Sequence, residues 1–521
     1  MIATLARLAL PAWIRATRPP QGATAIATAQ DRILHRLLRQ LAPLAIGQQL
    51  GLPRLRAAST PADAFRHLPI SEYADYEPLI ARCATGERGV LCRGAALALA
   101  QTSGTTRSSA SGERFIPQGS RLLRHHRQGG AAALARALEA AGADTLAGRL
   151  LMVGGSTALD HRHAVPMGDL SGIAAARLPG WISGRYEPGR EISAISSWEE
   201  RLEAMATRCA QRDVTLAAGI PSWMLVVFER IARARGVARC EEAWPHLRLV
   251  VHGGHAIEPC IPALRAHLGD ETWMMEVYPA SEAFIAIGAR PWRLGDAQTP
   301  PLELLTDHGV YLEFAPVGGA PEDCVTAAEI ERGGVYRVLV TTPGGLVRYQ
   351  VGDLVRAEGP GIIRFSGRIK TRISVFGEHV EGIELTRALA AACQATGAEV
   401  AHYHVAPCLP SAQEPRGAHE WLVEFTHHQR SGPGDAPEAA FARDFTAAID
   451  RHLIDHVLDY AAHRRGDGQL LPPRLTRVPA GAFARVLARQ GRCDAQRKVP
   501  QAWPDRSFAD SLTTAIAEMR T

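Results

Sequence analysis

Lysine is nearly absent from this chain of 521 residues: of its 58 basic residues 56 are arginine, and only Lys370 and Lys498 are lysine. GC-rich codon usage accounts for the arginines but not for the two places where an ammonium persists. A guanidinium is a planar fork and an ammonium a compact point charge on a flexible stem, so the two are not interchangeable at a working site. No run of about 20 uninterrupted apolar residues occurs, which excludes a membrane-crossing helix. Residues 1–20 lack the charged, apolar, small-residue order of a secretory signal and read as an amphipathic first helix. The nine cysteines are odd in number and form no CxxC pair, which argues against a zinc or disulfide framework and for a reduced, cytoplasmic setting. Aromatics make up 6% and no dense basic run occurs, so the net charge of +5 does not mark a nucleic-acid binder. Also missing are GxxxxGK[ST], GxGxxG, GxSxG and HExxH, and with them the P-loop, dinucleotide, hydrolase-elbow and zincin chemistries. His161 and His163 beside Asp160, and His452 with His456, have no third ligand at metal spacing.

What is present is the composition of a globular chain, 46% hydrophobic and 21% charged, long enough for two or three domains. Ile33, Leu34, Leu37, Leu38, Leu41 and Leu44 form one helical stripe. From Ala95, β-type runs at 150–153, 214–217, 247–251 and 274–277 alternate with helical ones such as 224–235, the pattern of an α/β core. Runs at 310–314, 334–341, 346–349, 353–357 and 361–366, broken by glycine pairs, predict an antiparallel sheet or distorted barrel. A helix at 382–396, strands at 398–405 and 419–427, a long helix at 438–464 and a strand at 474–478 then make a unit of ordinary domain size. The division expected is a large domain, 1–368, and a small one, 369–521.

Local patterns carry the chemistry. Thr102, Ser103, Gly104, Thr105 and Thr106 offer backbone N–H and hydroxyl donors suited to a polyphosphate, although such a cluster also makes a solvated turn. Tyr278-Pro279-Ala280-Ser281-Glu282 follows a strand of the α/β core, where such folds bind ligands. There Tyr278 can stack on a base and Glu282 can hold Mg²⁺ through oxygen, or Ser281 can cap a helix. In Tyr349-Gln350-Val351-Gly352-Asp353 a carboxylate after a strand can accept both hydroxyls of a ribose, or the Gly-Asp pair can simply turn the chain. The two lysines sit in Gly367-Arg368-Ile369-Lys370 and Gln496-Arg497-Lys498-Val499-Pro500.

In this order, together with Leu68-Pro69-Ile70-Ser71-Glu72-Tyr73-Ala74-Asp75-Tyr76, Gly219-Ile220-Pro221-Ser222-Trp223 and Val250-Val251-His252-Gly253-Gly254, these motifs resemble the adenylate-forming superfamily. Most closely they resemble its auxin-responsive Gretchen-Hagen branch, the acyl acid–amido synthetases. The resemblance implies an α/β adenylate-forming fold, with a large N-terminal domain carrying a β-rich subdomain and a smaller mobile α+β C-terminal domain. It implies ATP and Mg²⁺ as cofactors, and a small carboxylic acid and an amine, typically of an amino acid, as substrates. Thr102 to Thr106 would hold the phosphates. Gly253, Gly254 and Tyr278 would bound the adenine, with Ser281 contacting the nucleotide. Glu282 would ligate Mg²⁺, Asp353 grip the ribose, Arg368 mark a hinge, and Lys498 act in adenylation. The chain departs from the branch in the insertion Arg107-Ser108-Ser109-Ala110-Ser111, in Arg114 and Gln350, and in His379 where lysine is common. The same first step would also serve a thioester ligase, and a non-catalytic nucleotide-binding partner is the alternative from another class.

Overall fold

The computed structural model describes the chain apart from residues 1, 59–60, 103–113, 179, 196, 255–256, 318, 369–371, 374, 376–379, 409–415, 428–434, 462, 465–469, 490–498, 504 and 521. Two compact units form: Met1–His255 with Leu264–Phe365, and Ala256–Ala263 with Ser366–Thr521.

In the first unit β1 (Ala98–Thr102) pairs antiparallel with β2 (Arg114–Gln118), and Met167–Asp169 joins β1 in parallel. A second, larger sheet begins with β3 (Arg149–Val153), β4 (Val214–Gly219), β5 (Leu249–Gly253) and β6 (Trp273–Pro279), all parallel. These are largely buried apolar runs, as strands covered on both faces must be. Helix Pro221–Arg235 follows β4 with its proline in the first turn, where a missing N–H costs nothing.

Past β6 the pairing reverses. The strands β7 (Phe284–Gly288), β8 (Leu302–Leu304), β9 (Tyr311–Pro316), β10 (Val335–Thr341), β11 (Tyr349–Gly359) and β12 (Ile362–Arg368) extend the same sheet. Among the described residues it has thirteen strands, ordered Val325–Thr326, β9, β10, β11, β12, β8, β7, β6, β5, β4, β3, Tyr186–Glu187, with Trp292–Arg293 attached to β6. The antiparallel half is therefore continuous with the parallel half. The two runs expected at 346–349 and 353–357 are one strand from Tyr349 onward, because a bulge absorbs the intervening residues.

The helix Ala23–Leu41 packs Ile33, Leu34, Leu37, Leu38 and Leu41 into the core that also contains Leu312 and Phe314 of β9. Gln30 is buried on this face, and its amide is satisfied. It donates to the carbonyls of Thr306 (2.6 Å) and Val310 (3.1 Å) and accepts from the Leu312 amide (2.8 Å). Arg348, directly before β11, is wholly buried with φ 45°. Its guanidinium pairs with buried Glu313 at 3.2 Å and donates to the carbonyls of Arg66, Leu68 and Pro321.

In the second unit helix Gly382–Thr396 precedes β13 (Glu399–Cys408), which pairs antiparallel with β14 (Ala418–His427), and β15 (Arg474–Arg477) lies parallel to β14. The single helix expected over 438–464 is instead Asp435–His456 followed by Leu458–Ala461. Asp450 draws the end back by accepting from the Tyr460 hydroxyl (2.8 Å) and from Arg464. The eight described cysteines are unpaired, and no described helix is long and apolar enough to cross a membrane.

Both units bury imidazoles. Burial drives His125, His402 and His404 down to about 4, and His126 to about 3, from an ordinary 6.5. Below pH 6.5 the unfolded chain takes up protons that the folded chain refuses, so stability falls with pH from about 6.5 to about 4. The urea midpoint is expected to drop steadily across that window, and His126→Phe to flatten the slope.

Candidate active site

Pro279 ends β6, and the register with β7 shifts between Tyr278 and Pro279. The Ala280 amide donates to the Ala283 carbonyl at 2.8 Å, closing a turn that leads into β7. The alternative of a helix start at Ser281 is thereby corrected: the chain reverses as a hairpin. Glu282 sits in this turn and is buried. Two side chains hold the turn from behind. Gln118 donates its amide to the Ser281 carbonyl (2.9 Å), and His125 Nε2 accepts from the Phe284 amide (2.9 Å). With Nε2 an acceptor, His125 carries its proton on Nδ1 and donates it to the His308 carbonyl (2.9 Å).

Asp353 lies inside β11 rather than after a strand. Gly352, at φ 92°, forms the bulge that opposes β10 between Arg337 and Leu339, a conformation a residue with Cβ resists. Buried Asp353 accepts a hydrogen bond from the Tyr278 hydroxyl at 2.5 Å. Four strand steps separate β6 from β11 in the sheet. A flat sheet would hold them roughly 19 Å apart at about 4.8 Å per step, beyond the joint reach of a tyrosine and an aspartate. The antiparallel half must curl, and Phe365 of β12 lies edge-on to the Tyr278 ring at 6.1 Å inside that curl.

The start of β11 is fixed by the Leu68 to Tyr76 motif. Ser71 accepts from the Gln350 amide (2.9 Å) and donates to the carbonyls of Arg348 (3.0 Å) and Val347 (2.7 Å). Tyr76 accepts from the Val347 amide (2.8 Å), and its ring meets Tyr349 edge-on at 5.8 Å. Tyr73 accepts from the Phe115 amide (3.0 Å), and the Arg114 guanidinium lies 4.9 Å over its ring. Burial, then the Glu282 carboxylate, raises the Tyr349 phenol, with Arg114 opposing. Burial likewise dominates at Tyr73, with Glu282 adding a smaller push. Glu282, Tyr73, Tyr349 and Arg114 therefore share one electrostatic neighbourhood. Gln350 accepts from Arg337 (3.2 Å) and donates to Glu72 (3.3 Å).

Gly253 closes β5, and a Cβ there would stand 2.3 Å from the Val277 carbonyl oxygen, so only glycine permits this approach. Gly254 follows it. Thr102 ends β1 opposite Arg114. The structure thus joins Tyr278 to Asp353 directly, puts Ser281 and Glu282 in the adjoining turn, and sets Gly253 on the strand beside β6. Arg368 is the last residue of β12. Ser103, Gly104, Thr105, Thr106, Lys370, His379 and Lys498 lie outside the described residues. Gln118 and His125 escaped the sequence reading because neither stands in a motif. The available signal was a histidine pair on an alanine-rich helix. Among the described residues no group of three or more His, Cys, Asp or Glu forms a metal cluster.

Three family models match the chain: the GH3 family N-terminal domain over residues 22–153, the central domain over 303–368 and the C-terminal domain over 383–507. The chain belongs to the GH3 family. A curated GH3 relative, "Probable indole-3-acetic acid-amido synthetase GH3.9" of Oryza sativa subsp. japonica, is 28% identical over 316 residues, 56% of this chain and 68% of the relative. Among solved structures, the GH3.15 acyl acid amido synthetase in complex with 2,4-DB superposes with a TM-score of 0.73 at 16% identity, covering 98% of this chain and 96% of that one. A 2-hydroxyisobutyryl-CoA ligase in its postadenylation state with 2-HIB-AMP superposes with a TM-score of 0.57 at 13% identity, covering 96% and 94%. At these identities the structural likeness bears on the fold, which is that of adenylate-forming enzymes. In this GH3 chain the central-domain match contains β11 with Asp353, while Tyr278 precedes it. Tyr278→Phe is expected to lower unfolding stability by about 1.5–3 kcal/mol, the range for a hydrogen bond to a charged group, read by urea denaturation of the full chain.

Proposed function

We propose that the protein is an ATP-dependent acyl acid–amido ligase. The observation that carries this reading is the junction of Tyr278 with Asp353, beside the Glu282 turn, in a chain of the GH3 family. In the first step a carboxylate oxygen of the acid attacks the α-phosphorus of ATP, and the bond to pyrophosphate breaks, leaving an acyl-adenylate. In the second an amine nitrogen, typically of an amino acid, attacks the acyl carbon. The bond to AMP breaks and the amine gives up a proton.

The residues divide this work. Asp353 offers a carboxylate, an acceptor-only group suited to the two hydroxyls of a ribose, and Tyr278 fixes its orientation. The glycines Gly253 and Gly254 let the adenine approach the backbone, Ser281 contacts the nucleotide, and Thr102 with Ser103, Gly104, Thr105 and Thr106 cradles the phosphates. Buried Glu282 supplies the hard oxygen that Mg²⁺ prefers, and a single carboxylate suffices because substrate phosphates complete such sites. When bound, Mg²⁺ would neutralise phosphate charge. Arg368 marks the hinge of a C-terminal domain that begins near 369. Lys498 bridges the acid carboxylate and the α-phosphate during adenylation. A mobile ammonium spans oxygens of two reactants without requiring planar bidentate geometry, and a cation placed where charge develops lowers the barrier by several kcal/mol.

Acid-dependent exchange of labelled pyrophosphate into ATP is the test. Exchange is expected within a panel of carboxylic acids, followed by amine-dependent release of AMP; exchange with no acid would overturn the ligase reading. Lys498→Ala is expected to abolish exchange while sparing amide formation from supplied acyl-adenylate. Lys370→Arg, without an assigned contact, is expected to leave both steps unchanged.

A further inference from the structure

Lys498 is bonded to Val499, the first residue of a short described segment held on the edge of β13. The Val405 amide donates to the Gln501 carbonyl (2.8 Å), and the Trp503 amide donates to the Val405 carbonyl (3.3 Å), a parallel bridge centred on Ala502. Pro500 has no N–H to offer such a ladder. Its carbonyl is bound by a side chain instead: His404 Nδ1 donates to it at 2.6 Å. His404 is wholly buried, and its ring packs on Phe508 with centroids 4.7 Å apart. Burial keeps the imidazole neutral, and the carbonyl partner puts its one proton on Nδ1. Of the three bonds named, this one lies nearest Lys498 along the chain, and it alone depends on a side chain.

We propose that His404 is a positioning residue for adenylation: by fixing the Pro500 carbonyl it fixes the base of the stem that carries Lys498. The proposal rests on the assignment of Lys498 to that half-reaction. An ammonium on a four-carbon stem has ample freedom of its own, so the placement of its backbone decides where the charge can be held. Misplacement by about 1 Å of a group that orders a reacting centre costs about 10²-fold in rate.

The test uses the full chain in four forms: His404→Phe, His404→Asn, Lys498→Ala, and His404→Phe combined with Lys498→Ala. Phenylalanine keeps a ring against Phe508 and removes the donor, whereas asparagine restores an N–H near the Nδ1 position. His404→Phe is expected to lower acid-dependent pyrophosphate exchange about 10²-fold and to leave amide formation from supplied acyl-adenylate unchanged. His404→Asn is expected to recover most of the loss, and the combined variant to match Lys498→Ala in amide formation from supplied acyl-adenylate, the step in which Lys498→Ala stays active. Equal loss in both half-reactions, no recovery with asparagine, or further loss in the combined variant would overturn the proposal. If Lys498→Ala leaves exchange intact, the assignment of Lys498 fails and the proposal with it. If Lys498→Ala abolishes exchange while His404→Phe leaves it at the unaltered rate, the proposal alone fails.

Discussion

A guanidinium shut away from water has to find partners for its N–H groups inside the protein, and Arg348 does so by gathering chain from three places. Its bonds reach the carbonyls of Arg66 and Leu68, the carbonyl of Pro321 and the carboxylate of Glu313 on β9. Burial pushes the Glu313 carboxyl up to about 7 while Arg348 pulls it down, so the pair adds little net stability and would be costly to break on one side. Arg348 also holds a left-handed backbone, φ 45°, which for a residue with a side chain is kept only where surroundings over-determine it. What the arrangement supplies is definition. Tyr349 follows at once, Ser71 clips the same stretch, and Asp353 comes four residues later on the strand so placed.

Much of this fold was legible in the sequence because local and tertiary demands agree there. The parallel strands are apolar runs between helical stretches, and they form within about two residues of their expected bounds. The helix Ala23–Leu41 follows its apolar stripe. Agreement fails where a residue type serves two structures. Serine followed by glutamate caps a helix or turns a hairpin, and only the pairing of β6 with β7 decides for the hairpin. Glycine before aspartate ends a strand or bulges within one, and the bulge against β10 decides for the latter. Gln118 and His125 were illegible for a simpler reason: each holds main chain more than 150 residues away, and no local pattern encodes that.

Buried imidazoles in both units do a similar task. His125 joins the Glu282 turn to the strand region beyond it, and His404 takes the carbonyl of a proline that cannot join a ladder. Each is neutral and uses a defined tautomer. A lysine or arginine in the same place would bring a charge that the core cannot solvate, and a serine would not reach as far.

The curl that brings Tyr278 to Asp353 accumulates over four successive strand pairings, none of which contains the joined residues on both sides. Such a closure works as a tolerance chain in a machine: a small error in twist at β7, β8 or β12 is carried forward and multiplied by distance before it reaches the final gap. Substitutions in those intervening strands therefore have leverage over the gap out of proportion to their remoteness. Substitution in this chain is correspondingly cheaper in the helices and loops that border the sheet than in the strands that set its curvature.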